Sequence, residues 1–112
     1  MATAVAGKLD YLSETLSLTQ EEMGELLGTS RRAVSRWRAG ESRPQRVAKR
    51  RLLELAYIGE QLSNVMRRED ANLWLFSPNA LLGGDSPADR IPKGDYRSVL
   101  ALIEALADGV VT

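Results

Sequence analysis

Along this chain apolar residues recur three and four positions apart, the spacing that lines one face of a helix. No stretch alternates in the way a half-buried strand would. Leu9, Leu12 and Leu16 predict a first helix, with residues 1–7 a loose arm ahead of it. Met23 and Leu27, then Val34 and Trp37, mark two short helices. A longer pattern opens at Ser42-Arg43-Pro44 and runs to about Met66. Proline is tolerated in its first turn, where the missing N–H costs nothing. Leu52, Leu55, Gly59, Leu62 and Met66 share a face of that helix, with Val47, Ile58 and Val65 beside it. Unbroken, it would span roughly 35 Å, with Gly59 its weakest point. A short helix is expected over Asp70–Phe76, bearing Leu73, Trp74 and Leu75, and another from Pro87 to Ile91. The last helix buries Tyr96, Val99, Leu100, Ile103 and Leu106 and turns Arg97, Ala101, Glu104 and Asp108 to water. The expected class is all-α: a helix-turn-helix bundle over residues 1–66, then a small helical domain over 67–112, divided at the charge cluster Arg67–Asp70.

The stretch Leu18–Glu41, LTQEEMGELLGTSRRAVSRWRAGE, organises the rest. Thr19 and Glu22 have capping-box spacing, and Leu18 and Met23 can staple across that cap. Gly28 stops the helix where positive φ is needed. Ser30 caps the next helix, Arg31 to about Arg38, and Gly40 ends it. Met23, Leu27, Val34 and Trp37 then point inward, with Gly24 at the helix crossing. Gln20, Ser30, Arg31, Arg32, Ser35 and Arg36 are left outside. Arg31 and Arg32 occupy the first turn of the second helix, the part of a recognition helix that meets base edges. Cations there oppose the helix dipole, and a local rule broken without local gain points to function.

Charge changes the picture through its distribution. The 112 residues carry no net charge, but residues 30–51 hold nine basic side chains against one acid, Glu41. Residues 70–112 hold three basic side chains and six acids. Such asymmetry suggests a nucleic-acid surface beside a different partner surface. Arg43, Arg46, Lys49 and Arg50 read as phosphate clamps flanking the recognition helix. A two-fold operator also calls for two copies of the motif, so self-association as a dimer or within a larger assembly is expected.

Cysteine and histidine are both absent, which removes thiolate nucleophiles, imidazole bases and the usual zinc ligands. No cofactor and no metal are expected. The best carboxylate pair, Asp85 and Asp89, lies in a polar loop with nothing to desolvate or orient it, so an enzyme is not expected. Gly83-Gly84 has no lysine at phosphate-loop spacing. The longest uncharged run, Ala71–Gly84, is 14 residues and contains Pro78, too short to span a membrane. MATAVAG lacks the basic start of a secretion signal. A cytoplasmic protein with no membrane partner is expected.

Gln20, Gly24, Gly28, Val34 and Trp37, with the tail WRAGE, resemble the Xre family of helix-turn-helix regulators. Residues 73–94, LWLFSPNALLGGDSPADRIPKG, resemble the toxin-binding domain of the Xre/MbcA/ParS antitoxins. The matching elements are Trp74-Leu75, Ser77-Pro78-Asn79, Leu82-Gly83-Gly84, Ser86-Pro87 and the helix after Gly94. Length and tail are nearest the MbcA-type members. The resemblance implies an antitoxin of a type II toxin–antitoxin pair. Its partner would be a RES-domain toxin that destroys NAD, and its helix-turn-helix would repress the shared operon. DNA contacts would fall to Gln20, Ser30, Arg31, Arg32, Ser35, Arg36, Arg43, Arg46 and Lys49, with operator DNA as the second partner. Toxin contacts would fall to Trp74, Asn79, Gly83 and Gly84. By the same resemblance Gly109, Val110, Val111 and Thr112 would form a plug for the toxin's NAD pocket. The alternative is a stand-alone regulator whose C-terminal module dimerises or senses a ligand.

Overall fold

A computed structural model describes residues 3–109. It holds seven α-helices: α1 (Ala4–Thr15), α2 (Gln20–Leu27), α3 (Arg31–Arg38), α4 (Arg46–Ser63), α5 (Arg68–Phe76), α6 (Pro87–Arg90) and α7 (Tyr96–Ala107), with a 3-10 turn at Ala80–Leu82. No strand occurs among the described residues.

The helix starts follow local chemistry. Thr19 Oγ1 accepts the Glu22 N–H at 3.0 Å while Glu22 Oε1 accepts the Thr19 N–H at 3.0 Å, the reciprocal capping box. Gly28 stands at φ 71°, and Ser30 Oγ accepts the Ala33 N–H at 3.1 Å. Residues 3–7 are not a loose arm. Thr3 caps α1 through the Ala6 N–H, and the helix is under way from Ala4. Ala6 is buried there, so the apolar pattern begins one turn before Leu9.

The long helix is shorter than its pattern. Pro44 is buried ahead of α4, not in its first turn, and Gln45 is the N-cap. Proline disfavours helical backbone at the residue before it, Arg43, and residues 43–45 lie outside any helix, between α3 and α4. At the far end α4 stops at Ser63. Val65 and Met66 turn back through bonds to the Leu62 carbonyl, and both pack on the core from the turn. The 18 residues of α4 span about 27 Å. Gly59 does not break the helix. A Cβ there would stand 3.0 Å from Leu12 Cδ2 and 3.4 Å from Leu16 Cδ1, so the glycine is the seat on which α1 lies. Val47, expected beside the apolar face, is 64 % exposed.

The cluster Arg67–Asp70 is the start of α5, two residues before the expected Asp70. Glu69 and Asp70 occupy its first turn, where the helix dipole favours them. Asn72 of α5 donates to the carbonyls of Leu16 and Ser17 at 3.1 and 3.0 Å, fastening the end of α1, where Ser17 has φ 53°. One buried cluster runs through Leu9, Leu12, Met23, Val34, Trp37, Leu52, Leu55, Ile58, Leu75, Val99 and Ile103, so packing is continuous from α1 to α7. Leu102 is also buried on α7, beyond the face expected for it.

Candidate functional site: a cationic face and a tied loop module

Gly24 fixes how α2 meets α3. A Cβ at Gly24 would stand 3.0 Å from Ser30 C and Thr29 O and 3.1 Å from Arg31 N. The backbone of the turn therefore lies on the glycine, and Val34 and Trp37 are buried beneath it. This sets the exposed side of α3. Ser30, Arg31, Arg32, Ser35 and Arg36 are exposed there, and Gln20 is half-buried at the start of α2.

The nine basic residues of 30–51 divide in two. Arg38 pairs with Asp10 of α1, and Arg51 donates to Glu54 at 3.2 Å. Both are partly buried and serve the fold. Arg31, Arg32, Arg36, Arg43, Arg46, Lys49 and Arg50 are exposed and form no ion pair among the described residues. Cations collected without ion pairs on α3 and the start of α4 form the kind of electrostatic patch that suits a polyanion. A cleft of about 570 Å³ opens beside it, between the turn at Gly28 and Thr29 and the start of α4.

The C-terminal half presents a different chemistry. Trp74 is half-buried against the core, whereas Leu73, on the same helix, is 68 % exposed. Leu81 is 64 % exposed, and between it and Trp74 lies a hollow of about 260 Å³ lined also by Ser77, Pro78, Asn79 and Ala80. Asn79 closes a small loop: its Oδ1 accepts the Leu81 N–H at 2.9 Å, and its backbone bonds to Asp85 and Gly84. Gly83 and Gly84 turn that loop at φ 68° and 95°, with open space where their side chains would be. Gly109 follows α7 at φ 81° and is exposed, and Val110, Val111 and Thr112 lie outside the described residues.

Arg90, which sequence reasoning passed over, is the hub of this module. Its Nε donates to Asp85 Oδ2, its Nη1 to Asp95 Oδ2 and its Nη2 to the Leu82 carbonyl, each at 2.8 Å. Asp85 first, and then Asp95, raise the guanidinium's pKa. In return Arg90, and then the Ser98 hydroxyl, hold the Asp95 carboxyl below its ordinary value while Asp95 caps α7. Asp85 and Asp89 are thus not unoriented, as their polar loop suggested. Asp85 is bound by Arg90, and Asp89 completes a capping box with Ser86 at 2.8 and 3.1 Å. The Ser86 N–H, then its hydroxyl, lower the Asp89 pKa. Both carboxylates are thus tied into local structure, Asp85 to Arg90 and Asp89 to the Ser86 cap. No cluster of metal-binding side chains occurs among the described residues, and no helix of the described residues is long and apolar enough to cross a membrane.

Comparison with known proteins agrees with this geometry. A helix-turn-helix family model matches residues 14–46. The mycobacterial cidal antitoxins MbcA of Mycobacterium tuberculosis and Mycobacterium bovis are 48 % identical over 110 residues, covering 98 % of this chain and 94 % of theirs. A probable mycobacterial cidal antitoxin of M. tuberculosis is 34 % identical over 92 residues, 82 % of this chain and 78 % of its own. Among solved structures, the crystal structure of the M. tuberculosis MbcT–MbcA toxin–antitoxin complex matches with a TM-score of 0.86 at 46 % identity, covering 98 % of this chain and 99 % of that one. By sequence over nearly its full length and by fold, this chain belongs to the MbcA family of antitoxins.

Proposed function

We propose that this protein is the antitoxin of a RES-domain, NAD-degrading toxin, that it neutralises the toxin by occluding its active site, and that it represses its own operon through the helix-turn-helix. The observation that carries the reading is the likeness, over nearly the whole of both chains, to a chain of a toxin–antitoxin complex. The RES and NAD chemistry comes from the resemblance of residues 73–94 to the toxin-binding domain of the Xre/MbcA/ParS antitoxins. Operator repression is supported by the seven cations around α3 and the start of α4 that form no ion pair among the described residues. The work divides between residues 1–66, for DNA, and 67–112, for the toxin, in a cytoplasmic protein that self-associates on a two-fold operator.

DNA contacts fall to Gln20, Ser30, Arg31, Arg32, Ser35, Arg36, Arg43, Arg46 and Lys49. Toxin contacts fall to Trp74, Asn79, Gly83 and Gly84, with Gly109–Thr112 as the plug. A short apolar tail suits a concave site. The experiment is NAD consumption by the co-purified toxin, with the full-length chain against one lacking Gly109–Thr112. The full chain should suppress NAD loss. The truncated chain should keep its fold, DNA binding and much of its toxin affinity but inhibit poorly. Equal inhibition by both would assign occlusion to the body of the domain, and no inhibition by the full chain would sink the antitoxin reading for this toxin.

A further inference from the structure

The cleft beside the cationic face has one wall from the far end of the chain. Gly28 and Thr29 of the turn and Arg43 and Arg46 around the start of α4 line it, and so does Pro92, from the loop between α6 and α7. That loop is seated firmly. Gly94 stands at φ 89°, and a Cβ there would come within 2.7 Å of Arg51 Nη2, so its backbone lies directly on the Arg51 side chain. Arg51 is in turn tied to Glu54. Between Pro92 and Gly94 stands Lys93, exposed and without an ion pair among the described residues.

We propose that the DNA interface extends into the C-terminal half, with Lys93, next to Pro92 on the cleft wall, contacting a backbone phosphate beside the cleft that Arg43 and Arg46 line. The inference rests on the proposed operator binding. It departs from the sequence pattern, which confines every DNA contact to the first half of the chain.

Charge decides the occupant. Several carboxylates of α4 and the loop module are already engaged: Glu54 by Arg51, Asp85 and Asp95 by Arg90, and Asp89 in its capping box with Ser86; Glu41, two residues before Arg43, is exposed and forms no ion pair among the described residues. The Ser86 hydrogen bonds chiefly lower the Asp89 pKa and the Lys93 charge adds to them only last, and the two side chains form no ion pair among the described residues. An anion arriving from outside therefore meets Arg43, Arg46 and Lys93 with none of them in an ion pair among the described residues. A strand running past the exposed side of α3 carries phosphates at regular spacing beside this rim, and phosphate contacts of this kind fix register without reading sequence.

The test is fluorescence anisotropy of a labelled duplex from upstream of the protein's own gene, titrated over a series of salt concentrations. The full chain is compared with Lys93→Gln, Lys93→Arg and, as a reference contact, Lys49→Gln. Losing one phosphate contact should flatten the slope of log K against log salt by about 0.9. Lys93→Gln should show that change and weaken binding to operator and unrelated duplex alike, while Lys93→Arg keeps the wild-type slope. Because Lys93 is exposed, both variants should melt like wild type. An unchanged slope in Lys93→Gln, measured against a wild type that binds, overturns the inference alone. Weakened toxin binding with an unchanged slope overturns it in favour of a protein contact. Failure of the wild type to bind the duplex, with or without toxin, overturns the operator reading and this inference together.

Discussion

Replacing Gly24 by alanine sets two effects of known sign against each other. Gly24 is inside α2, and alanine in a helix interior is worth about 1 kcal/mol over glycine. Against this, the new methyl would stand 3.0 Å from two backbone atoms, Ser30 C and Thr29 O, and 3.1 Å from Arg31 N. Those atoms cannot rotate away. The turn is held by the Thr29 N–H to the Gly24 carbonyl at 2.8 Å, so relief requires α3 to shift as a body. Overpacking a close contact costs about 1–3 kcal/mol, so a net loss of about 1 kcal/mol is expected. Gly59→Ala is the control. Its methyl would meet Leu12 Cδ2 at the same 3.0 Å, but that is the free end of a side chain, and the helix-propensity gain should offset the squeeze. Denaturant unfolding with an unchanged m-value measures both. Gly24→Ala should also weaken operator binding at concentrations where it is fully folded, because Arg31 begins the displaced helix. A Gly24→Ala protein as stable as wild type, with undiminished DNA affinity, would show that the α2–α3 crossing is not fixed by this contact.

Trp37 is 7 % exposed in the core, and Trp37→Ala should cost about 3–5 kcal/mol. A loss below about 1 kcal/mol in a chemical melt would place it outside the cooperative core. Asp95 has its carboxyl pKa lowered from a reference of 3.8. Its contribution is therefore fully present above that value and is lost as pH falls through the lower folded value. Acid titration of stability should show the loss below pH 3.8, and Asp95→Asn should flatten that limb. An acid limb unchanged in Asp95→Asn would mean that Arg90 and Ser98 do not favour the ionised form.

Much of the chain was legible because its punctuation is local. The Thr19–Glu22 box, the stop at Gly28 and the Ser30 cap each involve groups no more than three residues apart or a single φ. Spacing alone therefore located them, together with the helix-turn-helix and the inward face of Leu27, Val34 and Trp37. Tertiary structure decided whatever depends on a distant partner. Gly59 reads as a weak point until Leu12 and Leu16 are laid across it. Nine basic residues look alike in the sequence, and only the fold assigns Arg38 to Asp10 and Arg51 to Glu54 while leaving seven without an ion pair among the described residues. The same holds for Arg90, whose carbonyl partner Leu82 is eight residues back, and for Pro92, brought against a turn some sixty residues earlier. A cap is set by a hydrogen bond within one helical turn. Which side of a charged helix is free for a partner is set by whatever the rest of the chain packs against it.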